Sequence, residues 1–431
     1  MSNASRSITG GWPASGESAL APPAQLGLIG CGLRGAGYLH YLLRKHTGFQ
    51  LVAAADPQIN CAEFVSRTFA GSKAACVASG RELLKTPNLD GVIIASPNAF
   101  HCRDAVDAME RGHLMLLEKP VATSFEDLGT LWQAYQRSSS TVIIGFVLRY
   151  TPFYRRIEQI VRSGAIGKIF VINAEELMSD RLSMMFARGD WRPQADRSGG
   201  LLLEKCCHDI DVLNMLARSR VKWVASRAAR TYLVPQPDAG PRCSECKIEP
   251  DCRFAKVSIN KSFQIDWDPE LDELFAKLDD DRCAFDERNS YPDHQTVNLE
   301  YANGVLCNFT VAQAQPATRR TIHIIGSEGR LYGNLEENLI KVYRRKGAND
   351  ESEEVIRINH DGSGHGGGDS AIVNDFCDAI NSHDNPHRPG LAEGIEAALI
   401  CLAAEQSVRA GNGVEVDSIR QRVFGTAEKP K

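Results

Sequence analysis

The chain has 431 residues, enough for two domains of ordinary size, and its 24% charged and 43% hydrophobic content is that of a soluble globular protein. Its 49 Lys and Arg against 54 Asp and Glu leave a net charge of −5, which gives no electrostatic case for nucleic acid or a membrane surface as partner. No run reaches the about 18 apolar residues that a bilayer span needs.

Residues 1–23 are rich in Ser, Gly, Ala and Pro. They lack the basic start and apolar core of a secretion signal and read as a flexible leader. From Gln25 onward, short apolar runs alternate with helical stretches. Residues 26–29 end in a glycine loop and precede a helix over about 36–45; residues 51–55 precede helix-compatible sequence at 61–69. Runs at 91–95, 114–117 and 142–146 continue the series. Apolar runs without polar alternation are strands buried on both faces. Their alternation with helices implies right-handed βαβ units. Residues 24–147 are therefore expected to form an α/β, Rossmann-type, doubly wound parallel-sheet domain.

After Arg149 the strands at 169–175, 295–300 and 304–311 alternate polar and apolar positions, as sheets with one packed face do. Helical patterns lie at 205–216, 370–380 and 392–409. Residues 148–431 are expected to be an α+β substrate and oligomerisation domain with a large, mainly antiparallel open sheet. An irregular stretch at about 234–289, holding Pro, Cys and many acids, reads as an insertion over that sheet.

Gly30-Cys31-Gly32-Leu33-Arg34-Gly35 matches G-x-G-x-x-G between a strand and a helix. Gly30 allows the turn, Gly32 lets backbone approach a pyrophosphate, and Gly35 lets helix pack on strand. The helix start offers free N–H groups to phosphate. Asp56 ends the second strand, where a carboxylate takes ribose hydroxyls and repels a 2′-phosphate, so NAD is expected over NADP. The plainer reading of Asp56 is a helix cap.

Glu118-Lys119-Pro120 ends a strand at the ligand-binding edge, where a lysine can stabilise charge on a substrate oxygen. Ser96-Pro97-Asn98 and His101 end the preceding strand and start another helix on the same edge. Farther on, Glu204, His208 and Asp211 share one helix face at i, i+4 and i+7, after Gly199-Gly200. A histidine oriented by carboxylates suits removal of a hydroxyl proton, although an isolated case is more often a satisfied core histidine.

These motifs, in this order and spacing, resemble the glucose–fructose oxidoreductase/inositol dehydrogenase/rhizopine catabolism (Gfo/Idh/MocA) oxidoreductase family, over roughly residues 25 to 410. The resemblance implies that Lys119 is the catalytic lysine, that His208 is the acid/base, and that Glu204 binds substrate and orients the histidine. Asp211 is similar to the structural acid one turn after it. Gly30, Gly32, Leu33, Arg34, Gly35, Asp56, Ser96, Pro97, Asn98, His101, Glu118, Lys119, Arg149, Trp191 and Arg192 are the implied cofactor-contacting residues. Two departures stand out: Cys206 replaces a usual small residue, and Lys205 follows Glu204 directly. Pointing inward, Lys205 implies a substrate with anionic or strongly polar groups; pointing outward, as its place one residue off the active face favours, it is surface charge. The insertion and the glycine cluster around His365 are expected to shape the substrate pocket.

The resemblance implies hydride transfer between NAD (NADP in reserve) and a secondary alcohol of a sugar, inositol-like polyol or glycoside. It also admits redox-neutral glycoside cleavage by transient oxidation and elimination, and a non-catalytic NAD(H)-binding protein. A homodimer or homotetramer is implied through the open sheet. Thirteen cysteines, an odd number, read as reduced thiols of a cytoplasmic protein. Cys243, Cys246 and Cys252 are closely spaced, but tetrahedral structural zinc needs a fourth ligand, which Cys283 or His294 supplies only if the fold brings it near.

Overall fold

The structure, a computed structural model, describes residues 22–188, 191–255, 257 and 281–425. Most of the expected leader and the middle of the expected insertion lie outside those residues. The apolar runs form a six-stranded parallel sheet of β1 (Ala24–Ile29), β2 (Phe49–Ala55), β3 (Ala75–Val77), β4 (Gly91–Ile94), β5 (Met115–Leu117) and β6 (Val142–Ile144). Successive side chains enter opposite cores: Leu26 and Leu28 join one apolar cluster and Ile29 the other. The three residues of β3 are too few to show periodicity in sequence.

Helices α1 (Leu33–Lys45), α2 (Ile59–Ala70), α3 (Gly80–Leu83), α4 (Asn98–Met109) and α5 (Phe125–Gln136) connect the strands. Their order is β3-β2-β1-β4-β5-β6. The winding reverses between β1 and β4, so the loops leaving those strands open a crevice, the usual ligand site of such sheets.

Two short helices, α6 (Val147–Tyr150) and α7 (Pro152–Arg162), lead onward. The Thr151 hydroxyl accepts the Tyr154 N–H and Pro152 occupies the first turn, which together start α7. Next come β7 (Ile169–Ser179), α8 (Asp180–Ala187), α9 (Ala195–Ser198), α10 (Leu201–Ala217) and β8 (Val221–Ala229). Strands β9 (His294–Tyr301), β10 (Leu306–Gln315), β11 (Arg319–Gly326), β12 (Gly329–Asn334), β13 (Leu339–Gly347) and β14 (Asp350–Arg357) follow. The chain then forms α11 (Gly368–Ile380), α12 (Leu391–Ala410), β15 (Val414–Glu415) and α13 (Val416–Phe424).

The second sheet runs β14-β13-β12-β11-β7-β10-β9-β8-β15 and is antiparallel except where β7 meets β10. On β9, Gln295, Val297, Leu299 and Tyr301 are buried, while His294, Thr296 and Asn298 are exposed. Helices α10 and α12 pack together, and one core cluster runs from Ile94 and Leu117 of the first sheet through Leu202 to Val297 and Val311 of the second. The crevice therefore sits over a continuous base.

Two placements are not visible in the linear pattern. Helix α11 returns to the first sheet, where Ile372, Val373 and Phe376 share a core with Leu26, Leu28 and Ile93. The chain beyond residue 148 thus supplies both units. The insertion joins the paired strands β8 and β9, and its described part seats on a small separate core of Met184, Ala187, Leu233, Phe254 and Ala284. Among the described residues no helix is long and apolar enough to cross a membrane.

Candidate active site

Gly30 leaves β1 at φ 89°, and a Cβ there would lie 2.5 Å from the backbone of Ala95 and Ser96. A Cβ on Gly35 would lie 2.3 Å from the Gly30 carbonyl oxygen. Both glycines are required by backbone packing alone. Gly32 is different: a Cβ there would meet nothing within 4 Å. It faces open space where α1 begins without a side-chain cap. The free N–H groups of that first turn suit an anionic group. A dinucleotide pyrophosphate fits this cradle.

Asp56 follows β2. Its Oδ2 accepts the Cys31 N–H at 2.9 Å and its Oδ1 the Gln58 N–H at 2.9 Å, tying the glycine loop to the next βα turn. Leu33 packs beside Ala36 and Phe64 under the loop. Arg34 turns inward: it donates to Glu118 at 2.6 Å, Asp369 at 2.7 Å and the Tyr38 hydroxyl at 2.9 Å. Tyr38 also bonds Glu118. Burial raises the Glu118 carboxyl, but the Arg34 and Lys119 charges overcome that and hold it below its ordinary value. Glu118 Oε2 accepts the Lys119 N–H at 3.0 Å, which fixes the backbone of the neighbouring lysine.

The strand ends bring the other groups together. His101 Nδ1 lies 2.7 Å from the Pro120 carbonyl and Nε2 lies 2.6 Å from that of Ser96, so the ring clips two crevice loops together. Ser96 donates to Asp104 at 2.7 Å, and Pro97 precedes the first residue of α4. Asn98, buried, donates to the Ser198 carbonyl at 2.9 Å and to Glu204 Oε2 at 2.6 Å. Arg192, over the Trp191 ring at 4.9 Å, donates to Glu204 Oε1 at 3.1 Å. Lys119 donates to the Glu204 backbone carbonyl at 2.6 Å, with Glu204 Oε2 at 3.9 Å.

That carbonyl lies one helical turn before His208. His208 is buried against the edge of Phe146, with ring centroids 6.0 Å apart, and its Nδ1 has no hydrogen-bond partner among the described residues. Burial, then the nearby charges of Lys119, His365, Arg320 and Lys205, hold its pKa well below the ordinary histidine value, so the imidazole is neutral at neutral pH. One turn on, Asp211 receives Arg149 through two bonds, of 2.6 and 2.8 Å. Burial pushes the Asp211 carboxyl up to about 6 against the pull of Arg149.

The sequence grouped Arg34, His101, Glu118 and Arg149 with the cofactor contacts, and in the structure their polar atoms are engaged by protein partners that brace the crevice. Glu204 contacts Asn98, Arg192 and Lys119 through its side chain and backbone, rather than His208. Lys205 is corrected: it is buried, not surface charge, and pairs with Glu176 at 3.0 Å on the side of α10 facing the second sheet. Its pull inward comes from a buried ion network in which Arg320 meets Glu176 at 2.7 Å and Asp209 at 3.0 Å.

The sequence placed His365 in a glycine cluster expected to shape the pocket, but did not reveal its approach to His208. Its ring lies 6.1 Å from that of His208 and its Nδ1 3.0 Å from Asp369, which in turn holds Arg34. The i, i+4 spacing of His365 and Asp369 at the start of α11 was the available signal.

Comparison with known proteins bears on this arrangement. The profile of the Gfo/Idh/MocA oxidoreductases, described as an oxidoreductase family with an NAD-binding Rossmann fold, matches residues 24–146, and that of its C-terminal domain matches 154–332. The chain belongs to the Gfo/Idh/MocA family. This member is therefore an NAD-binding oxidoreductase of the inositol and sugar dehydrogenase family. It is 23% identical over 353 residues to the putative oxidoreductase YteT of Bacillus subtilis (strain 168), covering 76% of this chain and 80% of that protein. It is 26% identical over 205 residues to the scyllo-inositol 2-dehydrogenase (NAD(+)) of the same strain, covering 46% and 56%. For that inositol dehydrogenase the match thus spans a little over half of the relative's length. Levoglucosan dehydrogenase in complex with NADH and levoglucosan superposes with a TM-score of 0.68 at 20% identity, over 91% of this chain and 99% of that one. The myo-inositol 2-dehydrogenase of Lactobacillus plantarum gives 0.64 at 19% identity, over 91% and 99%. At such identities the likeness is one of fold.

Proposed function

We propose that this family member interconverts a secondary alcohol and a ketone on a sugar, polyol or glycoside, with Lys119 holding the reacting oxygen and His208 exchanging its proton. The observation that carries the reading is that the Lys119 amine bonds the Glu204 carbonyl, one helical turn before the buried, neutral His208, and lies near enough for its charge to depress that histidine. Bound NAD supplies the hydride acceptor, and NADH the donor. A neutral His208 has a lone pair for the hydroxyl proton, and the Lys119 cation stabilises the negative charge that develops on that oxygen. In the reverse direction the imidazolium returns the proton.

Glu204 fixes the geometry from below by holding Asn98 and Arg192 beside Lys119. Arg149 on Asp211 and His101 between Ser96 and Pro120 position the walls. Asp56 at the end of β2 supports NAD over NADP, because a 2′-phosphate would meet its charge. Self-association fits the open sheet, where Phe170, Leu306, Tyr332 and Val355 are exposed on four strands. Thirteen free cysteines fit a cytoplasmic setting.

NADH absorbance with a panel of inositols, sugars and glycosides tests the reading, alongside Lys119→Ala and His208→Ala. The expected result is turnover by the unaltered chain that falls by about 10²–10⁴-fold in each variant while NADH binding persists. Unchanged turnover would overturn the assignment, and glycoside cleavage without net NADH would replace it with the redox-neutral route.

A further inference from the structure

The insertion is built on too little apolar surface to hold itself. Its described part rests on five buried residues, Met184, Ala187, Leu233, Phe254 and Ala284, separate from the main core. Cores this small are usually supplemented by disulfides or a metal. What surrounds this one is sulfur: Cys243, Cys246, Cys252 and Cys283 all line one cavity, together with Arg188.

The fold settles which distant residue joins the three closely spaced cysteines. Cys243 N–H donates to the Asp281 carbonyl at 2.8 Å and Cys283 N–H to the Pro241 carbonyl at 3.1 Å, on either side of an Arg242–Arg282 bridge. Ser244 adds a bond to Asp281 Oδ2 at 2.6 Å. These bonds hold Cys283 against the turn that carries Cys243 and Cys246, some 40 residues earlier in the chain. His294, the other candidate, lies on β9 with its Nδ1 2.6 Å from Asp293, away from the cavity.

We propose that Cys243, Cys246, Cys252 and Cys283 form a structural tetrathiolate zinc site that ties the start of the insertion to its end. The donor set favours zinc: four sulfurs, two of them in a C-x2-C turn, are the ligands of closed tetrahedral sites. Groups that support thiolate charge are in place. The Gly240 N–H lies 3.2 Å from Cys246 Sγ, and the Arg188 guanidinium lies 3.7 Å from Cys243 Sγ. Such outer contacts orient metal ligands and moderate their charge. Among the described residues no three His, Cys, Asp or Glu side chains are already drawn to ligand distance of one point. The four thiols line the cavity without already forming a metal-ligating group, so binding draws them together. On binding, the four thiols release their protons to solvent.

Elemental analysis of the full chain, purified without an affinity tag or chelator, is the test. The expected content is about one zinc per chain. It should fall at least several-fold in Cys246→Ser and Cys283→Ser, while NADH binding is unchanged, which separates this proposal from the function proposed above. Where a variant fails to fold, thiol counting on the unaltered chain decides: removing zinc with dipicolinate should expose four more reactive thiols, and adding zinc should hide them. Less than a tenth of a zinc per chain after loading with zinc sulfate, iron in its place, or disulfides among these four cysteines would overturn it.

Discussion

Helix α10 has two buried polar faces, and they are wired differently. Toward the second sheet, Lys205 and Asp209 join Arg320 and Glu176 in a network of two cations and two anions with contacts of 2.7–3.0 Å. Toward the crevice, Glu204 is ringed by Asn98, Arg192 and Lys119, while His208 keeps a ring nitrogen without a partner among the described residues. Both faces bury charge, so burial does not mark a reaction centre. A neutral imidazole near a lysine cation at the strand edge beside the glycine loop does.

The contrast is broken most forcefully by exchanging which face is damaged. His208→Gln should lower kcat/KM by about 10²–10⁴-fold with little change in melting temperature. Arg320→Met should do the opposite, destabilising the fold by about 3–5 kcal/mol because Glu176 and Asp209 are left buried without it, while NADH binding by the folded fraction persists. Thermal unfolding and initial rates on both variants check this; matching losses in both quantities would erase the distinction.

The glycine loop gives the next effect. Gly35→Ala places a Cβ against the Gly30 carbonyl and should lower the melting temperature, whereas Gly32→Ala meets open space and should leave it nearly unchanged while weakening NADH binding by about tenfold or more. Fluorescence titration with NADH separates the two.

A pH effect follows from the depressed His208 pKa. The folded chain resists protonation that the unfolded chain accepts, so this group's contribution to stability is complete above about 6.5 and is lost as pH falls below that value. The drop in melting temperature between pH 7 and pH 5.5 should therefore be smaller in His208→Gln. Smallest is the effect of Asp56→Ser, expected to narrow the preference for NADH over NADPH by removing the charge that faces a 2′-phosphate.

Much of this was legible in the chain. Unbroken apolar runs reveal a sheet buried on both faces, and the glycine spacing locates its crevice. The helical spacing of Glu204, His208 and Asp211 puts them on one side of α10. What escaped depends on contacts between distant segments. The burial of Lys205 follows from Glu176 on β7 and Arg320 on β11, and no local pattern announces either. The approach of His365 to His208 requires α11 to fold back on the first sheet. Arg34 looks like a loop residue free to meet a cofactor until Glu118 and Asp369 arrive on either side.

A structure of the ternary complex with NADH and a turned-over polyol addresses the central claim most directly. The reacting oxygen should lie within about 3 Å of both the Lys119 amine and a ring nitrogen of His208, the range of a hydrogen bond that can pass a proton. An active complex in which that oxygen touches neither group would contradict the account.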